Sequence, residues 1–325
     1  MTTEPETAPV TDAPDAETAP KKKSGLPLIL LAVLCAAAAV GVFLLLPSAS
    51  TEPETELPVV WTAEGVTVAA ADGEGHLLGT VEGDAAKAAV LSAEDGSVIA
   101  EVPGAIAPGR ERVRPTDVAV LPGGGFAWLG PNAVAFWRPD SEPQMLAAED
   151  GGEGVIGSVR VEGETLKWMR YPKPPEGGDT VPPDFWQADL KTLEVEERGQ
   201  EGPDFAGRMG RAAPNKGYGF PQETAVSRET AEGDLVAVEW SRPEGMDAVV
   251  FQRATTESGL TVFRKADGKP KRLGGLTFRE TETTFLGKTF EPTRPEPITG
   301  FALDDANDRI YVSHAGATTA YDLSE

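Results

Sequence analysis

The chain has 325 residues, yet it carries one cysteine, two histidines and few aromatic side chains (7%), and its 29 bases are outnumbered by 52 acids. Each shortage removes a class of function. The single Cys35 lies inside an apolar run, so no disulfide can form in the rest of the chain and stability there must come from packing. With only His76 and His314 and no H-E-x-x-H or C-x-x-C, a zinc site has no ligand set to draw on. No G-x-S-x-G occurs, and His314 beside Ser313 falls in a predicted strand, where neighbouring side chains face opposite ways. No cofactor motif is present, and none of the many acids is marked out as a glycosidase pair. The sequence thus speaks against an enzyme without deciding the question. Beyond residue 46 there are 47 acids against 26 bases, a balance that repels nucleic acid.

What is present begins at the N-terminus. Residues 1–20 are Thr, Pro, Ala and acid without periodicity, a composition expected to stay disordered. Residues 21–47 hold Lys21, Lys22 and Lys23 followed by 21 residues without a charge, Leu26 to Leu46. At 1.5 Å per residue such a helix is about 31 Å long, enough to cross a bilayer. The lysines before it and the glutamates Glu52, Glu54 and Glu56 after it place the N-terminus in the cytoplasm and the remainder outside. A cleaved signal peptide has a shorter apolar core, and lipid attachment at Cys35 would want a small residue where Leu34 stands. The expectation is therefore a single-pass cell-membrane protein with an extracytoplasmic domain. Residues 48–58 read as a Pro/Thr/Glu-rich stalk, and residues 59–325 as that domain.

From Val59 onward no helical periodicity is found. Short apolar runs bounded by Gly, Pro, Asp and Asn predict strands in groups of four: 65–71, 76–82, 87–92 and 97–102; 116–121, 125–130, 133–138 and 143–147; 155–161, 164–171, 184–190 and 192–197; and 234–241, 247–253, 259–264 and 270–275. The end of the chain supplies three more, 297–303, 309–313 and 318–323, while "PVVWT" at 58–62 is left over at the start. Pairing the leftover strand with the last three closes a ring. Four-stranded units at about 40-residue intervals predict an all-β propeller of five to six blades, with 203–232 as the uncertain sixth; a β-sandwich pair is the alternative. The six tryptophans, Trp61, Trp128, Trp137, Trp168, Trp186 and Trp240, are expected to pack between blades.

The closing stretch "LDDANDRIYVSHAGATTAYDL" resembles the blade ending of extracytoplasmic propellers with YVTN or quinoprotein-like repeats. Ala, Val, Glu and Pro richness with little Lys suggests a high-GC bacterium with a thick envelope, and the resemblance is to the membrane-anchored actinobacterial type. Its acids do not make a calcium loop, because neither Asp304 nor Asp305 as first position puts acids or amides at 1, 3 and 5 and Gly at 6. A tight turn before Ile310 is expected instead.

Basic residues stand out against the acidic background. Arg110, Arg112 and Arg114 lie in "PGRERVRP", and Lys269, Lys271 and Arg272 lie, with Arg264 and Lys265, around one predicted hairpin. These are the candidate contacts for a partner, with solubility and edge protection as the plain alternative. A third group, Arg208, Arg211 and Lys216, sits among glycines at 207–219, where no helix follows to make a phosphate cradle. The function expected is a non-catalytic binding or scaffold protein that serves a membrane or envelope complex as accessory or assembly factor. The alternative is a propeller enzyme or small-ligand sensor with its site in the central channel.

Overall fold

The computed structural model describes residues 53–83, 86–102, 104–107, 110–131, 133–147, 154–172, 181–199, 226–229, 234–247, 251–266, 269–285, 288–289 and 297–324. The chain divides at Ser48/Ala49 into two units, and only the second contains described residues. The predicted span Leu26 to Leu46 therefore lies outside them; among the described residues no helix is long and apolar enough to cross a membrane.

Two short strands come first, β1 (Glu54–Thr55) and β2 (Val59–Glu64). The first sheet is β3 (Val66–Ala71), β4 (His76–Val81), β5 (Lys87–Ser92) and β6 (Val98–Val102). A 3-10 turn, Pro115–Asp117, leads into β7 (Val118–Val120), β8 (Phe126–Leu129), β9 (Ala133–Trp137) and β10 (Gln144–Ala147). The third sheet is β11 (Gly154–Glu162), β12 (Thr165–Pro172), β13 (Asp184–Asp189) and β14 (Val195–Gly199). The fourth is β15 (Val226–Glu229), β16 (Leu235–Asp247), β17 (Phe251–Ala266) and β18 (Lys269–Phe285), with β1 on the outer edge of β18 and β19 (Lys288–Thr289) at its far end. The last is β20 (Gly300–Asp304), β21 (Arg309–His314) and β22 (Ala317–Asp322), completed by β2.

All pairings are antiparallel and sequential, save that the first strands of the chain finish the last two sheets. This is the ring closure that the leftover strand predicts. The described residues form five sheets with the order and closure of propeller blades. Two differences from expectation concern the fourth sheet. Its strands are not the four short segments 234–241, 247–253, 259–264 and 270–275 but three long ones preceded by Val226–Glu229, which falls within the supposed sixth unit. Most of 203–232 lies outside the described residues. Part of the expected stalk 48–58 instead joins this sheet: Glu54 pairs with Thr277, Thr55 with Leu276, the Glu56 amide donates to Gly275 O at 3.1 Å, and Leu57 is buried.

Each meander puts the turns after its first and third strands at one end of the domain and the remaining connections at the other. Hydrogen bonds between turns respect this division. At the first end Ala93 N, after β5, donates to Gly75 O before β4 (2.9 Å); at the second, Gly65 N, after β2, donates to Gly316 O between β21 and β22 (2.7 Å).

The sheets meet through apolar faces and a few buried polar contacts. Trp128, Trp137, Trp168 and Trp186 are buried, and Trp61 and Trp240 partly so. Sheets two and three share one core through Leu129, Val134, Ile156, Leu166 and Trp168. Sheets four and five share another through Leu260, Leu276, Phe278, Ile310 and Tyr321. Between the last sheet and the first, a β-bulge in β3 interrupts its ladder between Val68 and Ala70. Two hydroxyls take up the backbone groups there. Val68 N donates to Ser313 Oγ (2.7 Å), and Thr318 Oγ1 donates to Val66 O (2.7 Å). Because the Thr318 proton is thereby used, Ser313 is the donor in the 2.7 Å bond between the two hydroxyls. His314, on the opposite face, packs on Phe278 of the fourth sheet with ring centroids 4.7 Å apart.

Thr318→Val keeps the shape and removes both the donor to Val66 O and the acceptor of the Ser313 hydroxyl proton, so it should lower unfolding free energy by about 2–3 kcal/mol. Combined with Ser313→Ala, it should cost less than the sum of the two, since both belong to one chain of bonds. Denaturant unfolding of the two single variants and the double variant measures this.

Candidate functional site

The predicted basic residues fall at opposite ends of the domain. Arg110, Arg112 and Arg114 lie on the connection from β6 to β7, at the second end. Lys269, Lys271 and Arg272 begin β18 at the first end. No single cationic surface unites them. Arg110 Nη1 binds Asp117 Oδ2 at 2.7 Å, and Val113 N between the arginines donates to Thr80 Oγ1 at 2.9 Å, which pins the loop to β4. Burial pushes the Asp117 carboxyl above its usual range, and the Arg110 charge pulls it partly back. At the other end Arg272 reaches Glu56 at 2.5 Å and Arg264 binds Asp308. Arg114, Lys269 and Lys271 are exposed, and Arg112 is half-buried. The group Arg208, Arg211 and Lys216 lies outside the described residues.

Side chains that invite a catalytic reading are engaged in holding turns together. Asp72, in the turn after β3, accepts from the amides of Glu74 (2.8 Å), His76 (3.0 Å) and Gly125 (2.9 Å) and contacts His76 Nδ1 at 2.9 Å. Its carboxylate is fully buried, and through Gly125 it ties sheet one to sheet two. Gly125 is required there, because a Cβ would come within 2.4 Å of Trp137 O and its φ is +97°. His76 completes the joint, its ring edge-on to Trp137 at 5.1 Å.

Asp304 does the same in the last sheet. It accepts from Asn307 N (3.2 Å) and Asn307 Nδ2 (2.9 Å), and Asp308 adopts φ 49°, so the closing acids build a turn as expected. Close by, the Ala93 carbonyl gathers three donors from the closing seam: Trp61 Nε1 at 3.1 Å, Arg309 Nη1 at 2.7 Å and Tyr311 Oη at 3.5 Å. This convergence was hidden in the sequence, where Ala93 is 32 residues from Trp61 and 218 from Tyr311.

One pocket of about 260 Å³ opens on the fourth sheet, lined by Trp240, Thr261, Thr277 and the charged Glu54, Glu257, Arg272 and Arg279. Gly259 makes room for the indole, whose ring carbon would stand 2.9 Å from a Cβ, and Trp240 Nε1 donates to Thr261 Oγ1 at 3.0 Å. Arg279 bridges Glu257 (3.0 Å) and Glu54 (2.9 Å). The charges of this pocket thus fasten β1 onto β18. Among the described residues no group of three or more His, Cys, Asp and Glu is gathered as a metal site.

The remaining feature is apolar. Val59 and Val60 on β2 are 56% and 42% exposed, and Val98 and Ile99 on β6 are 45% and 50% exposed. Both strands are outer edges of adjacent sheets and both start at the first end, bracketing the Trp61–Ala93 bond. Each ladder skips the apolar residue, Val60 in β2 and Ile99 in β6.

No family model matches the sequence, and no curated protein matches it. Among solved structures the chain is similar to BamB from Moraxella catarrhalis (10% identity, 79% of this chain and 71% of that one, TM-score 0.26). It is also similar to the β-propeller domain of the Trilobed protease from Pyrococcus furiosus (12% identity, 84% and 97%, TM-score 0.35). A third similarity is to the AtxE2 isopeptidase (12% identity, TM-score 0.36), of which this chain spans 49%. The blade assignment rests on the sheet order and closure given above.

Burial, and then the neighbouring Asp304 charge, raise the Tyr311 phenol well above its usual 10.0, while Arg309 pulls the other way; burial also raises Tyr321. The folded state keeps these protons where the unfolded chain releases them, so stability is complete below pH 10 and falls as pH rises beyond it. In a titration followed at 295 nm, Tyr311 should ionise together with unfolding and Tyr321 later than an exposed tyrosine. Tyr311→Phe should reduce the loss of stability above pH 10.

Proposed function

We propose that this chain is a non-catalytic binding module, held by Leu26 to Leu46 in the cell membrane with its N-terminus cytoplasmic and its β-domain outside, and that it serves a membrane or envelope complex as accessory or assembly factor. The supporting observation is the pair of neighbouring edge strands with exposed valine and isoleucine. Outer strands ordinarily carry charge or proline, and an apolar stretch on such an edge marks contact with another protein. The bulges at Val60 and Ile99 break the ladder that an added strand would extend. Contact is therefore through side chains rather than by strand addition. The exposed Arg114, Lys269 and Lys271 lie on other strands and connections and are not part of this patch.

The test is recovery of the intact protein from membranes in mild detergent. It should elute with a larger membrane complex in fixed stoichiometry, and Val60→Lys with Ile99→Lys should release it while circular dichroism and thermal midpoint stay unchanged. Recovery of wild type as a monomer, or with a small molecule bound, would overturn the proposal and favour the sensor or enzyme reading.

A further inference from the structure

The exposed apolar side chains of β2 and β6 do not all look the same way, and the strand registers separate them. Trp61 pairs with Ala320, and both belong to the core common to the first and last sheets, so this face of β2 turns toward the first sheet. Val98 pairs with Leu91 of the same core, so Val98 on β6 turns toward the last sheet. Val59, opposite Tyr321 of the core shared by sheets four and five, belongs to the other face of β2. Gly96 packs against the indole: a Cβ there would stand 2.8 Å from Trp61 and 2.9 Å from Ala63. The two edges are thus the walls of a furrow with Trp61 and Gly96 at its base, Val98 on one wall, and the bulged Val60 and Ile99 beside it.

Acids flank this furrow and bases do not. Glu94 and Asp95 are exposed in the β5–β6 turn at its first end. At the second end are the exposed Glu64 and Glu82, whose backbones adjoin Gly65: Glu64 precedes it and Glu82 N donates to Gly65 O at 2.8 Å. Asp95 accepts from Ser97 N (3.0 Å) and Ser97 Oγ (2.7 Å), bonds that favour its charged form. Residues 58–64, 92–102 and 317–324 contain no Lys or Arg. The bases of adjoining strands are engaged, Lys87 with Glu101 (2.6 Å) and Arg309 with the Ala93 carbonyl (2.7 Å).

Different occupants meet this arrangement differently. A second copy in a two-fold contact would set the same acids against each other, and an anionic lipid surface would be repelled in the same way. An added strand finds the ladders broken at Val60 and Ile99. A helix needs no backbone bonds from its groove and reads it through one apolar stripe. The 6 residues of β2, at about 3.3 Å each, span about 20 Å, the length of about 13 helical residues. We infer that the partner in the binding role proposed above, on which this rests, presents a basic amphipathic helix of three to four turns. Its apolar stripe lies on Trp61, Val98 and Ile99, and its lysines or arginines face the acids at both ends of the furrow.

The experiment uses the full chain in its own membranes with the photocrosslinker p-benzoylphenylalanine in place of Ile99, irradiated and then extracted in mild detergent. Mass spectrometry should place the crosslink in a partner segment rich in Lys and Arg, with apolar residues at helical spacing. Separately, Glu64→Lys with Glu94→Lys should lower the amount of partner recovered by about tenfold or more. Glu111→Lys with Glu142→Lys changes net charge equally, at exposed positions off the furrow, and should leave recovery unchanged. Within a recovered complex, a crosslink to an acidic or uncharged segment, to a second copy or to nothing overturns the basic helix and leaves the binding role standing, as does equal loss in both double variants. A chain recovered alone, crosslinked to nothing or only to lipid, overturns the binding role and the helix with it.

Discussion

The domain depends on one joint, the run of hydrogen bonds Val68 N–H to Ser313, Ser313 to Thr318, and Thr318 to Val66 C=O. Ser313 and Thr318 are wholly inaccessible to solvent, so every donor and acceptor in the run must find its partner inside the protein. As an edge strand β3 leaves backbone groups of Val66 and Val68 turned away from its own sheet, and the last two strands of the chain meet them. A ring closed by strands far apart in sequence needs such a specific joint, because apolar packing alone tolerates sliding and a one-residue slip would separate all three bonds at once. The close approach that the joint requires is also visible at Gly300, where a Cβ would stand 2.2 Å from Val68 O.

Around this joint, polarity is spent on connecting neighbours. Asp72 links the turns of sheets one and two, the Ala93 carbonyl links sheet one to β2 and β21, and Arg279 links β1 to β17 through Glu54 and Glu257. With 47 acids after the apolar run, an arginine meets a carboxylate almost wherever it is placed. Arg110 and Arg272 accordingly face Asp117 and Glu56, and the cationic clusters of the sequence are muted in the structure. Exposed apolar side chains on edge strands stand out more clearly than charge in such a background.

The blades were legible where strands are short and turn residues sit at their ends. In β4, β5 and β9 alternation, Gly and Asp give strand limits that agree with the structure to within a residue. The same signals mislead in "SRPEGMDAVVF", where Pro243 and Gly245 read as a turn. Both instead stand inside β16, paired with Thr256 and Ala254, and the turn comes after Asp247. Gly259 and Gly275, likewise, lie within strands because Trp240 and the neighbouring backbone approach them. The docking of Glu54–Leu57 left only Leu57 as a signal, one apolar residue among acids. Contacts such as Trp61 to Ala93 leave none, since they depend on which blades become neighbours.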